Sequence, residues 1–529
     1  MPQYLSPGVY VEEVPSAVKA IAGVSTSIPG FIGIVPDQLD LPLDLNVVTN
    51  EQVGKGDKDG KIFPLKRYPV VTDEGTFTIK VGGVLAADAK LSNDDTKKVS
   101  QVTFTAAPKI VNESVGNGDG TKTVFDLKRY PVVTDASTFT IKVGGVLADT
   151  ATLSNDDTKK VSQVTFATAP AKDAAITADY QAVITADYKP KFCPIEVGVV
   201  KLCTNFSQFK QFFGDFSKDE KHNYLVHAVY GFFNNGGSSC YVVRIKDAAT
   251  ELDKALNAFA TIDPISLVAM PGETDDTRRD KIVAHCKATG DRFAILDGPA
   301  KADDLTTLTK IPADSGVMPK RTNLAAWYFP WIKVFDPITN GSLAVPPSGH
   351  IAGVYARVDN ERGVFKAPAN EVIFGAQDVS QPLSKADQDN LNPKGVNCIR
   401  VLNGNILVWG ARTVGGDDNA DLKYINVRRT LLFLRESIDE GTQWVVFEPN
   451  TPALWQQITR NVSAFLTNVW RSGALFGNTP QEAFYVKCDA ENNPPELREL
   501  GQVVTEIGVA IVRPAEFVIF RISQMAQTS

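Results

Sequence analysis

The sequence predicts a mixed α/β plus α+β chain: a layered α/β body, a C-terminal α+β domain, and two tandem all-β sandwich-like repeats inserted into the body. Strands and helices alternate through the second half, one early segment occurs twice almost verbatim, and both ends carry strands without evident partners. At 529 residues the chain is long enough for several cores, and its 43% apolar content can fill them. The net charge of −7 argues against direct nucleic-acid binding, which needs a basic stripe.

The first element lies in "YLSPGVYVEEVPS", residues 4 to 16. Val9 and Val11 alternate with Tyr10 and Glu12, the period of a strand with one covered face. Ser6-Pro7-Gly8 breaks the chain before it and Pro15-Ser16 after it, so the strand has no partner close in sequence. The next stretch, "IAGVSTSIPGFIGIVP", holds two prolines and several small polar residues and does not read as a bilayer span. The start lacks a signal-peptide pattern, and the six cysteines include no CxxC pair. Synthesis in a cytoplasm, reduced thiols and no metal site are therefore expected.

Residues 63 to 104 read "FPLKRYPVVTDEGTFTIKVGGVLAADAKLSNDDTKKVSQVTF", and residues 125 to 166 repeat them with few changes. Alternation at 77–81 and 99–104, with turns at Gly82-Gly83 and Asn93-Asp94-Asp95, predicts a small β sandwich in each copy. The flanking segments resume a different style, so residues 50–189 read as an insertion in a surface loop. The copies are set at 50–111 and 112–189. "GDKDG" and "GNGDG" lack the later glutamate of a calcium loop and read as turns. The insert is either a spacer or a decoration that binds a ligand such as a glycan.

From residue 190 the α/β pattern begins. "KHNYLVHAVYGFFNNGG" predicts a helix stopped by Asn-Gly-Gly, and "CYVVRI" a strand. "PISLVAMPG", "DDTRRDKIVAHCKATG" and "RFAILDG" give strand, helix and strand, which implies a parallel sheet covered by helices. "CIRVLNGNILVWG" is a hairpin about Asn403-Gly404. Asn450-Thr451-Pro452 opens a long helix whose apolar face runs from Leu454 to Trp470, and Gly473 ends it. "QVVTEIGVAIVRPAEFVIFRISQ" closes with two strands broken at Pro514. Phe517, Val518, Ile519 and Phe520 are consecutive, so both faces of the last strand require cover. The remaining boundaries fall at 1–49, 190–400, 401–502 and 503–529.

Catalytic signatures are absent from this pattern. His222 and His227 are five apart and do not share a helix face as a metal pair would, and His285 sits beside Cys286 on different faces. There is no GxSxG, GxxxxGK[ST] or HExxH motif. Asp297 at a strand end, His350 and a serine form the one conceivable triad, and structural roles explain these residues more simply. A non-enzymatic protein without cofactor is expected.

"YLSPGVYVEEVPS", "GVSTSIPGFIG", "FSQFKQFFGDF", "HAVYGFFNNGGSSCYVVRI", "VPPSGHIAGVYARVDNERGVFKAPAN", "LNPKGVNCIRVLNGNILVWGART", "YINVRRTLLFLRESIDEGTQWVVFEPN", "LWQQITRNVSAFLTNVWRSGALFG", "AFYVKCD" and "GVAIVRPAEFVIFRISQ" resemble the contractile tail sheath proteins of myophages and of phage-tail-like contractile injection systems. The resemblance covers about 1–40 and 190–529 and omits only the duplicated insert. It implies a subtilisin-like core without catalytic residues and a C-terminal domain facing an inner tube. It also implies stacked hexameric rings that contract and drive that tube through a target envelope. The partners implied are other copies of the chain, the inner tube protein, and baseplate and terminator proteins, with no membrane insertion. Assembly is expected in a bacterial cytoplasm, in a phage virion tail or an injection particle.

The same resemblance implies that both ends reach neighbouring protomers and add strands there. Val9, Tyr10, Val11 and Val14 belong to the first arm. Val509, Ile511, Phe517, Val518, Ile519 and Phe520 belong to the second. Arg460 and Arg471 on the long helix are the candidate tube contacts. Two further readings are a hydrolase on the α/β core and an adhesin built on the β repeats.

Overall fold

The computed structural model describes residues 20–39, 41, 48–55, 62–65, 70, 77–81, 83–87, 89–94, 99–104, 109–134, 139–156, 158–181, 183–188 and 192–519. The chain divides into two compact units, Met1–Pro36 with Ile195–Ser529, and Asp37–Pro194.

The first unit is built on a nine-stranded sheet. Its order is Val200–Cys203, Cys240–Ile245, Pro29–Ile34, Leu267–Ala269, Phe293–Asp297, Ala325–Phe329, Val396–Leu402, Asn405–Val408, Glu371–Val372. Every pairing from Cys240–Ile245 across to Val396–Leu402 is parallel, and antiparallel strands close both edges. Helices cover both faces, and "GFIGI" within Pro29–Ile34 shows why. Gly30 and Gly33 point to opposite faces. A Cβ on Gly30 would lie 2.7 Å from Phe259 of helix Ala248–Phe259, and one on Gly33 would lie 2.3 Å from Leu225 of helix Glu220–Asn234. Small residues at these two points let a helix approach from each side. Helix Ser348–Arg362 packs on Glu220–Asn234 in the same way, with Gly349 against Ala228 and Gly353 against the Phe232 carbonyl.

The predicted hairpin turns at Asn403 (φ 50°) and Gly404 (φ 78°), with Leu402 opposite Asn405. Both of its strands belong to the nine-stranded sheet. A two-residue turn keeps its strands in one sheet, and the helices and strands that follow it form the C-terminal α+β part. That part holds helices Ile425–Thr442 and Pro452–Arg471, and strands Phe484–Lys487 and Glu506–Val509 paired antiparallel. Leu454, Trp455, Ile458, Val462, Phe465 and Leu466 are buried at its centre together with Ile21.

Ile21 is there because residues 20–28 run along helix Ile425–Thr442 before entering the sheet. The Val24 N–H donates to Ser437 Oγ (3.1 Å), and the Thr26 hydroxyl donates to Asp359 (2.6 Å). Arg429 joins Asp359 at 2.5 Å and donates to the Thr26 carbonyl at 2.8 Å, with both charged side chains buried. One extended segment thus ties the α/β body to the C-terminal part.

In the second unit the two copies are alike in detail. Phe63 meets Phe104 edge to face at 5.8 Å, and Phe125 meets Phe166 at 5.8 Å. In each copy one asparagine, Asn93 or Asn155, bonds both backbone groups of a buried valine, Val70 or Val132, and accepts from a buried serine. The copies are not in tandem, however. Strand Ala175–Gln181 pairs with Lys109–Asn117 and Phe139–Val143, completing the second copy. The next strand, Val183–Tyr188, pairs with Val48–Lys55 and Thr78–Val81 and completes the first. The second copy is therefore nested inside the first, before its last strand. At the base, Leu39 and Phe192 exchange both backbone hydrogen bonds at 2.9 Å.

Candidate interaction surface

Asp297, the candidate catalytic acid, caps a helix. Its carboxylate accepts from the Gly272 N–H (3.0 Å), the Ser348 N–H (2.8 Å) and the Ser348 hydroxyl (2.6 Å). Burial pushes its carboxyl up to about 6. His350 is 2% exposed, burial holds its imidazole down at about 3, and its Nδ1 has no hydrogen-bond partner. Asp219, Asp247 and Asp275 cap the helices Glu220–Asn234, Ala248–Phe259 and Asp276–Thr289. The carboxyl ends of the parallel strands, where α/β sheets hold ligands, are thus surrounded by helix N-termini already satisfied from within the chain. Among the described residues no group of three or more metal-ligating side chains occurs and no helix is long and apolar enough to cross a membrane.

The C-terminal part carries the unsatisfied surface. The Ala510 N–H donates to the Ala483 carbonyl, the Phe476 N–H to the Ala510 carbonyl, and the Val512 N–H to the Ala474 carbonyl. Residues 508, 510 and 512 thus turn their backbone groups toward Phe484–Lys487 and residues 474–476. Strand alternation turns those of Ile507, Val509 and Ile511 to the opposite edge, which no described strand covers. Their side chains are half-buried against the core of the C-terminal part. The sequence groups Val509 and Ile511 with the departing arm, whereas the structure seats both on their own chain, held by apolar packing and by pairing with Phe484 and Leu475.

The tail leaves the body at Glu516. Its carboxylate accepts from Arg412 Nε and Nη2 (2.8 Å each), Asn392 (2.7 Å) and Tyr424 (2.9 Å). Arg412 is 3% exposed, so this bidentate pair is a firm anchor. Immediately after it Phe517, Val518 and Ile519 are 72%, 68% and 79% exposed. The single acid in "PAEFVIF" is the sequence signal for this anchor, and sequence reasoning passed over it. Val9, Tyr10, Val11, Val14 and Phe520 lie outside the described residues. Arg460 and Arg471 are exposed about three turns apart on one side of helix Pro452–Arg471 and form no ion pair among the described residues.

Comparisons with known proteins bear on the same regions. Family models for the phage tail sheath protein central domain and C-terminal domain match residues 247–414 and 417–525. A prophage major tail sheath protein of Pseudomonas aeruginosa is 27% identical over 236 residues, which are 44% of this chain and 57% of that protein. The tail sheath protein of Burkholderia phage BcepMu is 29% identical, over 36% of this chain and 40% of its own length. The chain thus spans about half the length of these curated relatives. Solved structures match over more of their length. A chain of the anti-feeding prophage baseplate is 30% identical with a TM-score of 0.54, covering 63% of this chain and 90% of that one. A chain of the contracted sheath complex of the extracellular injection system PVC is 28% identical with a TM-score of 0.55, covering 63% and 89%. The chain belongs to the contractile tail sheath proteins.

Proposed function

We propose that the chain is the repeating subunit of a contractile sheath, in which neighbouring copies are joined by strand addition. An open edge at Ile507, Val509 and Ile511 stands in the same domain as an anchored, exposed, apolar tail, and this pairing of features carries the reading. A two-stranded sheet is marginal alone and gains from further strands. The donors are the strand of residues 8–14 and the tail beyond Glu516. Each added strand makes about 4–6 backbone bonds worth about 0.5–1.5 kcal/mol apiece, a link of a few kcal/mol before side chains count.

Such links hold copies together while packed bodies rotate as rigid units. The extended array of stacked hexameric rings is a kinetically trapped state, and contraction drives the inner tube through an envelope without nucleotide or cofactor. The body is read as the family's subtilisin-like core, in which Asp297 serves to cap the helix that begins at Ser348, and no enzymatic step is assigned. Arg460 and Arg471 are the proposed tube contacts, and baseplate and terminator proteins close the two ends. Assembly takes place in a bacterial cytoplasm, into a virion tail or an injection particle.

Removing residues 1–16 tests this. Electron microscopy of the shortened protein is expected to show folded monomers and no tubes, and contractile tubes from that protein would refute arm exchange.

A further inference from the structure

Two of the six cysteines stand directly opposite one another. Cys203 ends Val200–Cys203, the edge strand of the nine-stranded sheet, and Cys240 begins its neighbour Cys240–Ile245. The antiparallel register pairs these two residues, and opposed side chains project from the same face. Both are 0% exposed and both are free thiols. Opposed residues in an antiparallel pair have Cα atoms about 4.5–5.5 Å apart, inside the range of about 4.4–6.8 Å that a disulfide accepts. Their Cβ atoms must close by about 1 Å to bond. The end of a ladder permits that shift, and this pair is the last of its ladder.

The closed fold withholds their reactivity. Burial pushes the Cys203 thiol up to about 12 and raises that of Cys240 well above its ordinary value, with Cys203 adding to the effect. The thiolate is the reactive species, so neither sulfur attacks an oxidant near neutral pH until the edge opens. Val200–Cys203 is a four-residue strand with one neighbour among the described strands. Such an edge opens at lower cost than the centre of a sheet.

We infer that Cys203 and Cys240 form an intrachain disulfide when the folded protein meets hydrogen peroxide outside a reducing cytoplasm. One sulfur, exposed by opening of the edge, attacks the peroxide. The O–O bond breaks, leaving a sulfenic acid and one water. The second sulfur then attacks the first, the S–O bond breaks, and that oxygen leaves as water. Two thiols are oxidised while one peroxide is reduced to two waters. The bond ties the edge strand to its neighbour and closes a loop around helices Phe206–Phe213 and Glu220–Asn234. The unfolded chain loses freedom and the folded body is stabilised. This chemistry needs only the folded chain and is independent of the tail strands.

The test incubates the full chain, purified reduced, with hydrogen peroxide well below its thermal midpoint. The protein is then unfolded in N-ethylmaleimide and digested with trypsin without reductant. Mass spectrometry is expected to find "LCTNFSQFK" linked to "HNYLVHAVYGFFNNGGSSCYVVR", from chains that run as monomers on a non-reducing gel. The oxidised sample is expected to melt at a higher temperature than the reduced one. In C240A the linked pair is expected to vanish and peroxide no longer to raise the midpoint. Should that variant fail to fold, peptide mapping of the unaltered chain decides alone. Both peptides fully labelled by maleimide after peroxide, both carried on to sulfonic acids, or linkage only to other cysteines or between chains would overturn the inference.

Discussion

Four histidines set how this protein responds to acid. Desolvation holds His222, His227, His285 and His350 below the ordinary imidazole range, His222 and His285 at about 4 and His350 at about 3. As pH falls below about 6.5 the unfolded chain takes up protons there before the folded chain does, so stability falls as pH falls. Asp297 acts the other way. Its carboxyl, raised to about 6, is protonated in the folded chain while its unfolded counterpart is still charged. The histidines outnumber it, so on balance unfolding takes up protons and stability falls with pH in this range. Urea midpoints at pH 6 and pH 5 check this: a clear drop is expected, and an unchanged midpoint would contradict the burial argument. The signal for this behaviour was only half legible in the sequence. The histidines could be dismissed as metal ligands from spacing, but the cap that Asp297 places on Ser348 spans 51 residues.

At the scale of elements, the open edge of the last described strand makes the sharpest demand. A proline at Val509 removes an N–H that faces that edge and leaves the pairing with Phe484–Lys487 intact. V509P is expected to stay folded, with a thermal midpoint within a few degrees of the unaltered chain by the usual scaling, and to lose tube formation in electron microscopy. Normal tubes from this variant would place the added strand elsewhere. Local signals predicted the body well: Cys240–Ile245 and the turn at Asn403-Gly404 follow from alternation and from glycine's tolerance of positive φ. Which strands are edges was not legible, because an edge is defined by neighbours distant in sequence. The same holds for residues 20–28, whose partners lie on helix Ile425–Thr442.

For the whole molecule, the nesting of the repeats decides what can be removed. Excising 105–182 takes out the second copy and leaves Val183–Tyr188 to complete the first. Excising 112–189 removes that strand and opens the sheet between Val48–Lys55 and Thr78–Val81. The first deletion is expected to yield a protein as resistant to proteolysis in its insert as the full chain, and the second one cut readily there. Equal resistance would mean that the repeats are independent in series. A clue to nesting stood in the sequence, since "ITADY" occurs at 176–180 and again at 184–188, one closing strand for each copy. Duplication was obvious from identity, whereas its order depends on which strands pair.

The segment that ties the body to its C-terminal part also fixes how the chain bears tension. A pull on the N-terminus reaches Ile21, Val24 and Thr26 first and passes into helix Ile425–Thr442 and the Arg429–Asp359 pair. Beyond them it meets Pro29–Ile34, a strand gripped on both sides by parallel neighbours. Force along that strand loads its backbone bonds together in shear instead of peeling them one at a time. Under the proposed arm exchange, a subunit tugged by its neighbour would be braced at the point where the rope enters the knot.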